Sequence, residues 1–530
     1  MQRWNGWGDE AVSIELKPKV LEFLSRSLGP GDCTDDVELD SVVARVPVSR
    51  LHDIPKGSID QEVRLRHAAG HSFSDWVGKK AGVISSIPDG VAFPESHDDV
   101  MNIMAYAKHH GCKVIPYGGG TSVAGHINPA DGDEPVLTVS LAKMNRLLSF
   151  DPEDQLATFQ AGATGLDIER QLAEYDRVLG HYPQSFEYST LGGWIATRSS
   201  GQQSLGYGRI EDLFAGGKLV TPEGELNLMS HPASAAGPDF KEWILGSEGR
   251  FGIITEADVR VSNTPVTETF KAWFLPNWTQ SVEAVRALAR DHVGVSMVRL
   301  SNAKETAIQL ILAGHPLATQ LLDRWLDWLG AADGKCMLLV GFTGTADQVE
   351  YAQRMVRRLL KPHKAVSTGT FLGKRWQNSR FKSPYMREAL WQAGYGVDTL
   401  ETAVNWSRVT STMQGIEEAL KNSFERFSSR VLTFSHLSHL YPQGSSVYTT
   451  YIFPRARTPE ATTYQWKAAK QAASEAIVAH GGTISHHHGV GVDHAPYLWA
   501  EKGSVGIRAL RELMRAFDPT GMMNPGKLVP

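Results

Sequence analysis

The sequence predicts an α+β fold built from two successive domains. Three observations carry the prediction. Short apolar runs alternate with short helical patterns between residues 91 and 263. A second set of strand-like runs, with longer amphipathic helices, fills 264–500. The 50 glycines are unevenly spread, many of them lying between 118 and 252. At 530 residues the chain has room for roughly two to four units, each long enough to bury a core.

The elements follow in order. Residues 1–90 read as an N-terminal helical region, with an apolar helix around Val20, Leu21, Phe23 and Leu24 and a Gly-Pro-Gly stop at 29–31. From Asp98 to His109, Val100, Ile103, Met104 and Ala107 recur at helical spacing, and Gly111 closes the helix. The strand Lys113–Tyr117 runs straight into Gly118, Gly119, Gly120, Thr121 and Ser122. Further strands are expected at 136–139, 156–159, 217–220 and 252–255, and the turn at Asn263-Thr264-Pro265 ends the first domain (91–263). The second domain (264–500) is expected to carry helices at Ser281–Arg290, Ala318–Leu329, Ala346–Leu360 and Pro459–His480. Its strands are expected near 294–300, 336–343, 431–438 and 446–453. Residues 501–530 form a C-terminal helix and a Pro/Gly-rich arm, Phe517 to Lys527, expected to return to the first domain.

Composition removes several functional classes. With 53 Lys+Arg against 58 Asp+Glu the net charge is −5, without the basic surplus that nucleic-acid binding needs. No apolar run reaches the roughly 18–20 residues that span a bilayer, and the start lacks a secretory pattern. Cys33, Cys112 and Cys336 are too scattered for a disulfide framework or a thiolate metal site, which places the chain in a reducing compartment.

Three small-residue clusters carry the chemistry. The first is Pro116-Tyr117-Gly118-Gly119-Gly120-Thr121-Ser122, whose glycines let backbone N–H groups approach an anion. It has neither the spacing of a Rossmann fingerprint nor the Lys-Ser/Thr of a P-loop. The second runs from Ser189 and Thr190 through Gly192, Gly193, Ala196 and Thr197 to Gly201. The third holds Glu248, Gly249, Gly252 and Ile254. Three such loops in one domain suit an extended ligand with a diphosphate in its middle.

The order of these clusters resembles the FAD-binding domain of the vanillyl-alcohol-oxidase/PCMH flavoprotein superfamily. The stretch Trp4-Asn5-Gly6-Trp7-Gly8, the run Gly192-Gly193-Trp194 and the triplet His486-His487-His488 are most similar to alkyldihydroxyacetonephosphate synthases. The resemblance implies a PCMH-type two-subdomain FAD domain and an α/β cap domain with an antiparallel sheet. It implies FAD bound by Pro116, Gly118, Gly119, Gly120, Thr121 and Ser122 at the diphosphate. Ser189, Thr190, Gly193, Ala196 and Thr197 would line its ADP and flavin edges, with Glu248, Gly249, Gly252 and Ile254 near the adenosine and ring. Tyr117 stands where some relatives have a flavin-linking histidine, so FAD is expected to be non-covalent. His126 is the one nearby histidine.

For catalysis the resemblance points to Tyr448 and the three histidines for proton handling, and to Arg299 for electrostatic support. Adjacent histidines usually diverge, so no metal is expected on the triplet. His436 occupies the position of a phosphate-binding arginine, which leaves Arg387 to compensate. The implied reaction exchanges the acyl group of an acyl-dihydroxyacetone phosphate for a long-chain alcohol through a flavin N5 adduct, with apolar cap residues lining an alkyl tunnel. The alternative is an FAD-dependent dehydrogenase or oxidase of a 2-hydroxy acid. Expected partners are a small-molecule or lipid substrate, a peripheral membrane surface and a second copy of the chain, with no nucleic acid. A bacterial-type cytoplasmic location is expected, since Lys527-Leu528-Val529-Pro530 is no peroxisomal signal.

Overall fold

A computed structural model describes residues 2–313, Leu326 and 334–529. The first domain is built on two sheets. In the four-stranded sheet Gly57–Ser58, Gly90–Ala92, Val136–Ser140 and Lys113–Tyr117 lie side by side, the last three parallel. Val136–Ser140 is buried along its whole length, as a parallel strand covered on both faces must be. The five-stranded sheet is antiparallel, in the order Leu147–Asp151, Leu156–Gln160, Ile253–Arg260, Phe214–Thr221, Gly224–Leu228. Both sheets share one core, in which Val100, Ile103 and Ala107 of the helix His97–His109 meet Val114, Leu137, Phe159 and Ile253.

The second domain is a seven-stranded antiparallel sheet. Its order is Val366–Gly369, Thr267–Leu275, Cys336–Gly344, Met297–Ser301, Leu432–Leu437, Gly444–Pro454 and Tyr395–Asn405. The helix Ala346–Leu360 begins at a capping box between Thr345 and Gln348. It lays Val349, Ala352, Val356 and Leu360 on this sheet. Thr267–Leu275, Tyr395–Asn405 and the helix Val409–Glu425 add to the elements expected from sequence. The expected helix Ala318–Leu329 lies outside the described residues.

Residues 1–90 do not stand apart as a helical unit. Gly57–Ser58 and Gly90–Ala92 belong to the four-stranded sheet. The helix Phe73–Ala81 instead packs on the second domain, Phe73 stacking on Trp466 at 5.5 Å between ring centres. The helix Pro18–Leu28 buries Val20, Leu24 and Leu28 against Leu390, Tyr395 and Ile452. This segment therefore ties the two domains together by the hydrophobic burial of one face of each helix.

The C-terminal helix Leu498–Phe517 is interrupted at Gly503, whose φ of +65° breaks the helical path. The arm after it returns to the first domain: Val114 N–H donates to Met522 O and Asn524 N–H to Val114 O, both at 2.8 Å. Among the described residues no helix is long and apolar enough to cross a membrane.

Candidate active site

A cavity of about 520 Å³ opens between the two domains. Its first wall is made by the three small-residue loops, and all fifteen residues expected to hold the cofactor line it, from Pro116 to Ile254. The loops are pressed together. A Cβ on Gly119 would sit 1.7 Å from the backbone oxygen of Tyr188, and one on Gly118 would sit 2.3 Å from Thr190 Oγ1. Glycine is thus needed here for close approach as well as for ligand access. The helix Leu191–Thr197 starts from Thr190, whose side chain caps Gly193 N–H, so a helix N-terminus opens beside the first loop.

Among the described residues no protein group accepts from the N–H of Gly119, Gly120 or Thr121. Amides left without an acceptor at a cavity wall fit a diphosphate. His126 is already engaged: its Nδ1 lies 2.6 Å from Ser122 Oγ and its Nε2 3.2 Å from Glu248. The Glu248 carboxylate is engaged as well, accepting from the N–H groups of Val490 and Gly491. Burial alone would raise its pKa, but His126 and these amides outweigh burial and hold it low. Its side chain therefore anchors the histidine loop, and it reaches any ligand mainly through its backbone. Asn524, on the returning arm, stitches the site shut by donating to His126 O and Glu248 O.

The second domain supplies the opposite wall. Arg299, His436, Tyr448, His487, His488 and Arg387 all line the cavity. His486 does not. It is turned behind the wall onto a neighbouring cavity, where its Nε2 meets Tyr441 OH at 2.6 Å. The triplet expected to act together is split, His486 facing one cavity and His487 and His488 the other. Even so, the Nδ1 atoms of His486 and His487 converge to 3.3 Å, against the expected divergence, and both face Glu401.

His436 is not a free phosphate ligand. Its Nδ1 lies 3.0 Å from Glu305, and Arg299 Nη2 donates to the same carboxylate at 2.6 Å. Burial, aided by Arg299, pushes the His436 pKa down, so the ring is neutral near neutral pH and cannot replace an arginine. Arg387 is half-buried against Trp76 and donates Nη1 to His71 O, while its Nε and Nη2 make no hydrogen bond to the protein.

Tyr448 stacks on His436, 4.7 Å between ring centres, and meets His488 edge-on at 6.2 Å. Burial raises the Tyr448 pKa and lowers that of His488 well below the usual value. A neutral phenol donor thus sits beside a neutral imidazole acceptor. Sequence reasoning missed Glu305, Glu401 and Asn524. Glu401 was discoverable: with Asp398 it interrupts the apolar run of Tyr395–Asn405.

Comparison with known proteins agrees with this geometry. Residues 88–229 match an FAD binding domain and residues 264–528 the C-terminal domain of FAD linked oxidases. The alkyldihydroxyacetonephosphate synthase of Dictyostelium discoideum is 30% identical over all of this chain and 93% of its own length. A solved alkyldihydroxyacetonephosphate synthase superposes with a TM-score of 0.85 at 27% identity, covering 99% of this chain and 98% of the other. A D-2-hydroxyglutarate dehydrogenase of Stutzerimonas stutzeri is more distant, 24% identical over 83% of this chain and 91% of its own. Full-length similarity, a PCMH-type fold and the glycine-walled cavity lead to one assignment: this chain belongs to the alkyldihydroxyacetonephosphate synthase family of FAD-dependent enzymes.

Proposed function

We propose that the protein exchanges the acyl group of an acyl-dihydroxyacetone phosphate for a long-chain alcohol, a step of ether-lipid synthesis with no net redox change. One observation carries the reading. The cavity that holds the glycine loops and Arg387 continues along an apolar wall of Val20, Phe23, Leu24, Leu390, Phe434 and Ile452, which form one contiguous cluster. A small polar substrate has no use for that wall, whereas an alkyl chain gains about 0.8 kcal/mol for each buried CH₂. The wall draws on the N-terminal helix as well as on the cap sheet.

In this scheme Arg387 holds the phosphate through its two unpartnered nitrogens, as a fixed charge. His488, neutral, accepts the proton removed from the substrate carbon, and Tyr448, neutral, donates to the leaving acyl oxygen. Arg299, balanced by Glu305, adds positive potential at the same wall. Bound FAD, held by residues 116–122, 189–197 and 248–254, supplies the electrophilic ring that the reacting carbon requires. Association with a lipid surface as a homodimer in the cytoplasm completes the proposal, to be checked by vesicle co-sedimentation and light scattering.

The decisive experiment mixes the purified flavoprotein, without oxygen, with an acyl-dihydroxyacetone phosphate and a long-chain alcohol. Fatty acid release that matches alcohol uptake, with no electron acceptor consumed, is expected. Sustained bleaching of the flavin by a 2-hydroxy acid would reject the transferase in favour of a dehydrogenase.

A further inference from the structure

Behind the cavity wall, four side chains from three separate segments turn their donor atoms toward one point. They are Glu401 from Tyr395–Asn405, His439 from the turn after Leu432–Leu437, and His486 and His487 from the loop after Pro459–Ala479. Their ligand atoms all lie within 4.8 Å of one another. We propose that these residues bind one divalent transition-metal ion of the zinc type, which positions His487 at the cavity wall.

Two of the four spacings already match that ion, and the other two bracket it. Metal–ligand bonds of about 2.0–2.2 Å in a tetrahedron put neighbouring ligand atoms roughly 3.3–3.5 Å apart. His486 Nδ1 is 3.3 Å from His487 Nδ1 and 3.4 Å from Glu401 Oε1. Glu401 Oε2 stands 2.7 Å from His487 Nδ1, and Oε1 3.9 Å from His439 Nε2. The ligand chemistry also fits: three imidazoles and a carboxylate suit zinc-type ions and not the all-oxygen shells of calcium or magnesium.

Two further features point to a ligand. Glu401 is only 3% exposed, yet its Oε2 makes no hydrogen bond of acceptable geometry, even to the nearby His487 nitrogen. A buried carboxylate oxygen left in this way is costly. The outer ring nitrogens are held as those of metal-ligating histidines are: His486 Nε2 by Tyr441 OH at 2.6 Å, and His439 Nδ1 by Ser200 Oγ at 3.1 Å. Arg209 donates to His486 O on this loop and is paired with Glu211. The second cavity reaches His486 and Tyr441 and offers a path for the ion.

Four protein ligands close a tetrahedral set, so the ion organises the wall and leaves no open position for substrate. Ligation at Nδ1 keeps the His487 proton on Nε2. His487 then faces the large cavity as a hydrogen-bond donor, which leaves proton acceptance to His488.

The test uses tag-free holoprotein, stripped with a chelator that leaves FAD in place and titrated with Co²⁺ alone. About one Co²⁺ per chain is expected, with the visible bands of a tetrahedral nitrogen/oxygen site beside the flavin spectrum. Glu401→Gln is expected to abolish binding. Tyr441→Phe, which removes only the hydroxyl behind His486, is expected to weaken it roughly 10–100-fold. A parent protein that binds no ion, or a folded Glu401→Gln that retains it, overturns the proposal. If circular dichroism shows Glu401→Gln unfolded, Tyr441→Phe decides alone, and unchanged affinity overturns it. None of these outcomes depends on which reaction the enzyme performs.

Discussion

Replacing Glu305 by glutamine tests the electrostatics of the cap wall. Glu305 begins the helix Ala303–Ala313, with its side chain 4% exposed, and it answers two partners at once, the Arg299 guanidinium and the His436 ring, which is neutral near neutral pH. Burial pushes its pKa up, but His436 and Arg299 outweigh burial and bring it from 4.5 to about 2. Removing one partner of a buried ion pair such as Arg299–Glu305 costs on the order of 3 kcal/mol. The sign follows from linkage: the folded pKa is depressed, so the contribution is complete above the unfolded value of 4.5 and is lost as pH falls through about 2. Glutamine keeps the shape and removes the charge, leaving Arg299 uncompensated in a buried wall. Glu305→Gln should therefore be less stable than the parent by about 3 kcal/mol near pH 7, with the gap narrowing toward about pH 3. Urea unfolding followed by far-ultraviolet circular dichroism at several pH values measures it. Equal stability near neutral pH, or a gap that stays constant into acid, refutes the reasoning.

Gly119→Ala should yield protein depleted of flavin, with FAD affinity down about tenfold or more, because the new Cβ meets the Tyr188 backbone oxygen at 1.7 Å; the flavin-to-protein absorbance ratio reads it. Arg387→Met should raise the KM for the phosphorylated substrate roughly 10–100-fold while FAD content stays normal, which steady-state kinetics and the flavin spectrum separate. Burial lifts the Glu169 pKa to about 7, so the folded chain holds this proton more tightly than the unfolded chain, and stability is lost as pH rises from 4.5 through 7. Glu169→Gln should match the parent in mild acid and be more stable, by up to about 3 kcal/mol, above about pH 7; thermal melts across pH test this.

The cofactor half of the site was legible because its signals are local. Gly118 to Ser122 follow directly on a strand, and their function needs backbone that any side chain would obstruct, so residue identity alone marks the place. The cap half was legible only as a set of residues. His436 and Arg387 were both named, but their different settings were not: Glu305 engages His436, while two nitrogens of Arg387 make no hydrogen bond to the protein. Nothing in the neighbourhood of Ala303-Lys304-Glu305 announces that partnership. The N-terminal helix was likewise read from its own periodicity, while its contribution to the apolar wall comes from strands and helices much later in the chain.

The sequence by itself determined the two-domain α+β plan and the three glycine loops, and the resemblance of those loops to a flavoprotein family implied FAD. The plan and the loops rest on periodicity or on backbone demands expressed within a few residues. Tertiary structure alone decided that the histidine triplet divides, with His487 and His488 facing one cavity and His486 another, and that Glu401 gathers His486 and His487 from behind. The physical reason is that pKa, pairing and ligand geometry depend on which charges share a desolvated space. That is settled by how distant segments pack, not by their order along the chain.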